Sequence, residues 1–346
     1  IKLVLTLDSD TFCPPGSIKE LISFAAHPYN KPRLNPSLNK VEEGFVIFQP
    51  RVNINFNSFI KTYFSRLISD SQGFDPYTKE VSDLYFDIFG EAIFLGKGVI
   101  HVDEFYALLR DRFPEERILS HDLLESLYAK CAFVSQVELF DDVPSNYYSY
   151  TARLHRWIRG DWQLLPWLLN FQENFSYLDR WKMFDNLRRS LIPLILLASI
   201  FISASISVNV FVVVLVLSLI IFVFPIFTSF SQAFSLGLRN ISFQKRWESF
   251  LTDFFKYFTQ GIFWISVLPH QVFVSLDAII KTLLRLITKK NLLIWTPFHA
   301  LEKHQKVNLM ILGLIVCQTV GALFLVFLNQ SITAIVLSCF FLSATG

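Results

Sequence analysis

Asp8 and Asp10, one residue apart in LDSDT, close an apolar run, and two carboxylates so placed can hold a divalent cation against a diphosphate. Such a pair also suits a plain strand-end turn, which Asp, Ser and Thr favour. In SHDLLE, Asp122 follows Ser120 and His121 at the start of an amphipathic run. A carboxylate there can take a proton from an attacking hydroxyl as a general base, with His121 tuning or positioning it, or it can simply cap a helix. Residues 153–167, RLHRWIRGDWQLLPW, combine three arginines with three tryptophans. Arginine forks grip phosphate oxygens and tryptophan faces stack on sugars, so the segment suits a phosphorylated sugar near a bilayer. The competing reading is an interfacial helix whose tryptophans and arginines meet lipid headgroups, although Asp161 and Gln163 fit a sugar hydroxyl network better.

The elements that must position these groups follow an α/β order. KLVLTL and EGFVIFQPRV read as buried strands, SIKELISFAAH and HDLLESLYAKC as amphipathic helices, and AFVSQVELFDDVP as a helix end leading into a strand. Residues 30–43 read as a surface loop. Residues 73–98, rich in Asp, Glu, Tyr and Gly, either line an acceptor cleft or form a helix and a glycine-rich turn. His27, His101 and His299 lack ligand spacing and read as structural.

Composition divides the chain. It is 52% hydrophobic, holds 37 Phe among 346 residues and has a mean hydropathy of +0.42, beyond an ordinary soluble domain. Residues 190–238 contain no Asp, Glu, Lys or Arg, enough for two crossings at about 20 residues each, with a hairpin tip at Ser205, Ser207 and Asn209. Residues 307–346 read as a second hairpin turning at Asn329–Ser331. The uncharged stretch 257–276 carries Gln260, Pro269, His270 and Gln271 and reads as interfacial or re-entrant. If it does not cross, Arg188, Arg189, Arg239, Lys245, Arg246, Lys281, Arg285, Lys289, Lys290, Lys303 and Lys306 all fall on the cytoplasmic side, as the positive-inside rule requires. The domains are then 1–180, cytoplasmic, and 181–346, a membrane region with hairpins at about 190–230 and 307–346. The net charge of +2 and its distribution give no case for nucleic acid, and four dispersed cysteines indicate neither a disulfide framework nor a zinc site. The ends of the chain suggest an excerpt from a longer polypeptide, with no signal peptide ahead of the first domain.

The succession LDSDT, AHPYNKP, FQPRV, GFDPYTKEVSDLYFDIFGE, GKGVIHVDEF, LSHDLLE, VPSNYYSY and ARLHRWIRGDWQLLPW closely resembles the cyclic β-1,2-glucan synthases, glycosyltransferase family 84. FDNLRRSL and LPHQVFVSLDAI resemble that family's juxtamembrane segments. The resemblance implies a partial GT-A-like glycosyltransferase domain followed by transmembrane helices in a bacterial inner membrane. It implies Mg²⁺ or Mn²⁺ and the UDP of UDP-glucose at Asp8 and Asp10, and the base at Asp122. The family's QxxRW signature falls on Arg153 to Trp157, with Arg153 in place of Gln. Arg153 and Arg156 would then bind the donor diphosphate, and Trp157, Trp162 and Gln163 the acceptor sugar of a growing β-glucan chain. The nucleotide-base half of the GT-A domain and the family's C-terminal glycoside phosphorylase-like domain are expected partners that this excerpt does not contain. Two other readings remain open: a processive β-glycan synthase of another linkage, cellulose-synthase-like, and a non-catalytic membrane scaffold or transporter.

Overall fold

The structure, a computed structural model, describes residues 2–35, 40–69, 83–110, 112–113, 118–235 and 241–294. The chain forms β1 (Leu3–Thr6), α1 (Ser17–Ala26), β2 (Arg33–Asn35), β3 (Lys40–Glu43), β4 (Ile47–Ile54), α2 (Phe56–Ile60), α3 (Tyr63–Ile68), α4 (Leu84–Phe89), β5 (Gly98–His101), α5 (Val102–Leu109), α6 (Asp122–Ala129), β6 (Cys131–Asp141), α7 (Tyr147–Gln163), α8 (Leu165–Leu169), α9 (Tyr177–Ile206), α10 (Val208–Ala233) and α11 (Phe243–Thr288). Two compact units emerge: Ile1–Leu187 with Ile279–Glu302, and a second that includes Arg188–Ala278.

In the first unit a four-stranded sheet has the order β1-β5-β4-β6. Strand β5 runs antiparallel to β1 and β4, while β4 and β6 are parallel. Strands β1, β4 and β6 therefore end at one edge, and β5 begins there. Side chains alternate across the pleat. Phe48, Val99 and Ala132 pack with Leu21 and Ala25 of α1, whereas Ile47, Ile100 and Cys131 pack on the other face with Leu108, Leu109, Tyr128 and Ala129 of α5 and α6. Helices thus cover both faces. Helix α6 leads directly into β6, so its first residue, Asp122, lies toward the edge where β6 ends.

Three local expectations are corrected. Cys131–Asp141 is strand from its first residue, because α6 stops at Ala129 and Lys130 turns the chain at φ 45°. Residues 33–35 and 40–43 pair as a small antiparallel sheet rather than forming only a loop, closed by the exposed Arg33–Glu43 ion pair. The 153–167 segment is two helices, α7 and α8, with the break at Leu164 ahead of Pro166.

Helices α9 and α10 meet at Ser207. Ser207 sits between them and its side chain accepts from the Val210 amide, while Ile200, Ala204 and Phe211 pack close by. Among the described residues, α9, α10 and α11 are each long and apolar enough to cross a membrane. Only 11% of the most apolar stretch of α10 is buried, so its Val, Ile, Leu and Phe side chains need an apolar surrounding that the described chain does not supply. The stretch 257–276 belongs to one unbroken helix of 46 residues, about 69 Å long. A re-entrant loop needs a reversal, and α11 has none. Ile279–Glu302 groups with Ile1–Leu187 rather than with the helices between them. The second predicted hairpin, 307–346, lies outside the described residues, as do 73–82 of the proposed acceptor segment.

Candidate active site at the carboxyl edge of the sheet

The LDSDT turn follows β1 and crosses the strand ends, because Phe12 pairs in antiparallel fashion with Phe140 of β6. Asp8 and Asp10 are thereby held at the carboxyl edge, where open α/β sheets bind ligands. The Thr11 hydroxyl donates to Asp141 Oδ1 at 2.7 Å. Asp141, the last residue of β6, is 2% exposed. Its Oδ2 lies 3.0 Å from Lys97 Nζ, and the same ammonium lies 2.8 Å from Asp8 Oδ2. Lys97 reaches both because it directly precedes Gly98, the register partner of Thr6 in β1. Burial alone would lower the Lys97 pKa, and Asp141 and Asp8 outweigh it, so that it stands above its usual value.

Asp122 opens α6 beside this group. A Cβ placed on Gly96 would lie 3.1 Å from Asp122 Oδ1, and Gly96 holds φ +82°, so the turn before Lys97 leans on the Asp122 carboxylate with no side chain between. Ser120 Oγ donates to Asp122 Oδ2 at 3.2 Å, and His121 Nδ1 lies 2.6 Å from Glu125 Oε1 one helical turn on. Burial and then the Glu125 charge push the Asp122 pKa up, against His121, Ser120 and Lys97. The hydrogen bond that His121 donates to Glu125 raises the His121 pKa despite burial. His121, Asp122 and Glu125 offer ligand atoms within 4.8 Å of one another. Since His121 and Glu125 already engage each other, we read the trio as a charge-balanced helix start rather than a metal centre.

A carboxylate must be ionised to accept a proton, so on the expectation that Asp122 is the base, activity should fall as the pH drops through its pKa. Because that pKa is raised, the acid limb of kcat/KM should lie above about 4, the ordinary carboxylate value. A pH profile of turnover checks this, and a limb at the ordinary value would contradict it.

Helix α7 carries the arginines. Arg153 is 8% exposed, donates from Nη1 to the Asp142 carbonyl at 3.0 Å, and lies 4.7 Å over the Trp157 ring. Burial holds its pKa below the usual value, against the pull of Asp10, Asp141 and Asp8. These charges place Arg153 in the same electrostatic group as the DxD aspartates. Trp157 is 40% exposed, and Arg156 and Trp162 are partly buried. Gln163, expected at the acceptor sugar, is instead 2% exposed with its amide committed to backbone. Its Oε1 accepts from Leu119 N at 2.7 Å and its Nε2 donates to the Leu292 carbonyl at 3.1 Å. Arg159, one turn earlier, donates to the carbonyls of Ile294 and Leu292. This half of the motif braces the loop ahead of Asp122 and the chain after α11. Gly160 permits the fit, since a Cβ there would come within 3.1 Å of Ser120 Cβ.

The oxygen donors of Asp8 and Asp10 suit a hard cation such as Mg²⁺ or Mn²⁺, and Asp8 keeps 53% of its side chain exposed while Lys97 takes one oxygen. Of the 73–98 segment, Tyr85 is buried under Lys182, which also pairs with Glu91 at 3.7 Å, so these residues are packed inward. His101 bonds the Ala25 carbonyl, in keeping with a structural role. Sequence reasoning missed Lys97 and Asp141; a lysine between two glycines directly before a strand was the available signal for the first.

No family model matches the chain. Over 200 residues it is 46% identical to the cyclic beta-(1,2)-glucan synthase NdvB of Rhizobium meliloti (strain 1021), a match covering 58% of this chain. The chain spans about 7% of that relative's length. The resemblance to cyclic β-1,2-glucan synthases carried by the sequence motifs is borne out by this match.

Proposed function

We propose that the chain carries the transfer site of a membrane-bound glucosyltransferase that moves glucose from UDP-glucose to the 2-hydroxyl of a growing β-1,2-glucan, with inversion, on a GT-A-like domain. The observation that carries this reading is the convergence of Asp8, Asp122 and Arg153 around Lys97 and Asp141 at one sheet edge. Inversion needs a single base, and Asp122 would take the acceptor hydroxyl proton as that oxygen attacks the anomeric carbon. Asp8 and Asp10 would hold Mg²⁺ or Mn²⁺, which offsets the charge of the departing diphosphate. Arg156 and Arg153 would add fixed positive charge, and Trp157 a stacking face for the acceptor.

The brace on α7 supports a topology. Residues 292–294 are bonded to Arg159 and Gln163 of the unit that precedes α9, which favours an even number of crossings for the chain between. The α9–α10 hairpin supplies two crossings, and α11 then lies at the interface on the side of the basic residues, which the positive-inside rule makes cytoplasmic, at a bacterial inner membrane. A reporter fused at Asn291 should be active only in the cytoplasm; activity outside the membrane would overturn this topology.

The reading is tested with membranes from cells expressing the protein, supplied with radiolabelled UDP-glucose. Divalent-dependent product that a β-1,2-specific glucanase degrades supports it. A resistant polymer would point to a synthase of another linkage, and no incorporation to a scaffold or transporter.

A further inference from the structure

Lys97 belongs to none of the motifs that suggest transfer, yet it joins them. Lys97 is 6% exposed, and its ammonium lies between the exposed Asp8 and the buried Asp141 at 2.8 and 3.0 Å. Asp141 uses its other oxygen for Thr11, three residues beyond Asp8. The DxD turn is therefore tied at two points to one buried carboxylate, once directly and once through the lysine. On the other side, Gly96 stands close enough to Asp122 that a Cβ on it would meet the carboxylate at 3.1 Å. The two-residue turn Gly96–Lys97 thus lies beside both the candidate base and the candidate diphosphate site.

We propose that Lys97 is a positioning residue that, together with Asp141 and Gly96, sets the distance between the DxD carboxylates and the base Asp122. A buried carboxylate without its counter-charge is costly, so Asp141 holds Lys97 in place in every step. Asp8, being exposed, is the partner that shares its charge with incoming cations. When a divalent ion and a diphosphate arrive, Lys97 keeps Asp8 at the sheet edge instead of letting it follow the ion. Misplacement by about 1 Å is enough to reduce turnover 100-fold. The proposal rests on the transfer reading above for its effect on turnover, and on geometry alone for its effect on nucleotide binding.

The test compares the wild-type protein with Lys97→Met, Lys97→Arg and Thr11→Val, purified in detergent. It measures kcat and KM for UDP-glucose and, separately, Mn²⁺-dependent UDP binding by calorimetry. Lys97→Met should lose about 100-fold in kcat and weaken UDP binding about 10-fold, with partial recovery in Lys97→Arg. Thr11→Val, which keeps every charge, should raise KM by about threefold or more with a smaller change in kcat. A folded Lys97→Met with wild-type kcat, KM and UDP affinity overturns the proposal, as does lost turnover with unchanged Mn²⁺-dependent UDP binding. If Lys97→Met does not fold, Thr11→Val decides, an unchanged KM overturning the assignment. A wild-type protein that binds UDP and transfers no glucose refutes the transfer reading, while the binding comparison still judges Lys97.

Discussion

Asp122→Asn should lower glucose transfer by about 10³-fold while leaving divalent-dependent UDP binding within about twofold of wild type. The amide keeps the shape of the carboxylate and can still meet Ser120, but it cannot accept the acceptor proton. Asp122 lies half-buried at the start of α6, and asparagine keeps its size beside Gly96, so the Lys97–Asp8 pair at the nucleotide end should stay in place. The raised pKa makes the group a stronger base than a free carboxylate, which is what deprotonating a sugar hydroxyl demands. Incorporation assays and UDP calorimetry on the same preparation separate the two effects. Turnover retained in Asp122→Asn would remove Asp122 from the mechanism.

Gly98→Ala should cost about 3 kcal/mol or more of stability, because its Cβ would lie 2.2 Å from the Phe48 carbonyl oxygen, an atom fixed in β4. Flexible side chains can yield to a methyl group; a central strand cannot. Strand β5 would have to leave β4, and Phe48, 1% exposed, would lose its packing with Val99. Lys97, adjacent in sequence, would be displaced from Asp8 and Asp141 at the same time. A lowered thermal midpoint and reduced yield of folded protein are the expected readouts, and a midpoint equal to wild type would show that the strands can separate locally.

What the sequence reveals and what it hides divide along a physical line. Strand β1, helices α1 and α6 and the Ser207 hairpin tip are legible because local periodicity and capping residues mark them. Asp8 and Asp122 are legible because a carboxylate at the end of a strand or the start of a helix is a local arrangement. Lys97 and Asp141 are not, since their meaning comes from partners 89 and 130 residues away, Asp8 for the one and Thr11 for the other. Gln163 misleads for the same reason. Beside Trp162 it resembles a sugar-binding amide, yet the carbonyl it serves is 129 residues downstream. In β2 and β3, polar strands in a two-stranded sheet carry little apolar alternation, so pattern reading has nothing to detect. Helix α11 runs through Pro269 without ending, which the residue types alone argue against.

The brace from Arg159 and Gln163 to residues 292–294 also bears on the order of biosynthesis. During translation the sheet, the DxD turn and α7 are all made before the first long apolar helix ends, so the candidate site can take shape early. The backbone carbonyls that complete the brace are made only after α9, α10 and α11. Until then Gln163 lacks one of its two partners, and the loop leading to Asp122 is held from one side. The brace would thus close only once the three apolar helices have been synthesised, and a chain interrupted within α11 would keep its aspartates without the strut that steadies the loop ahead of Asp122.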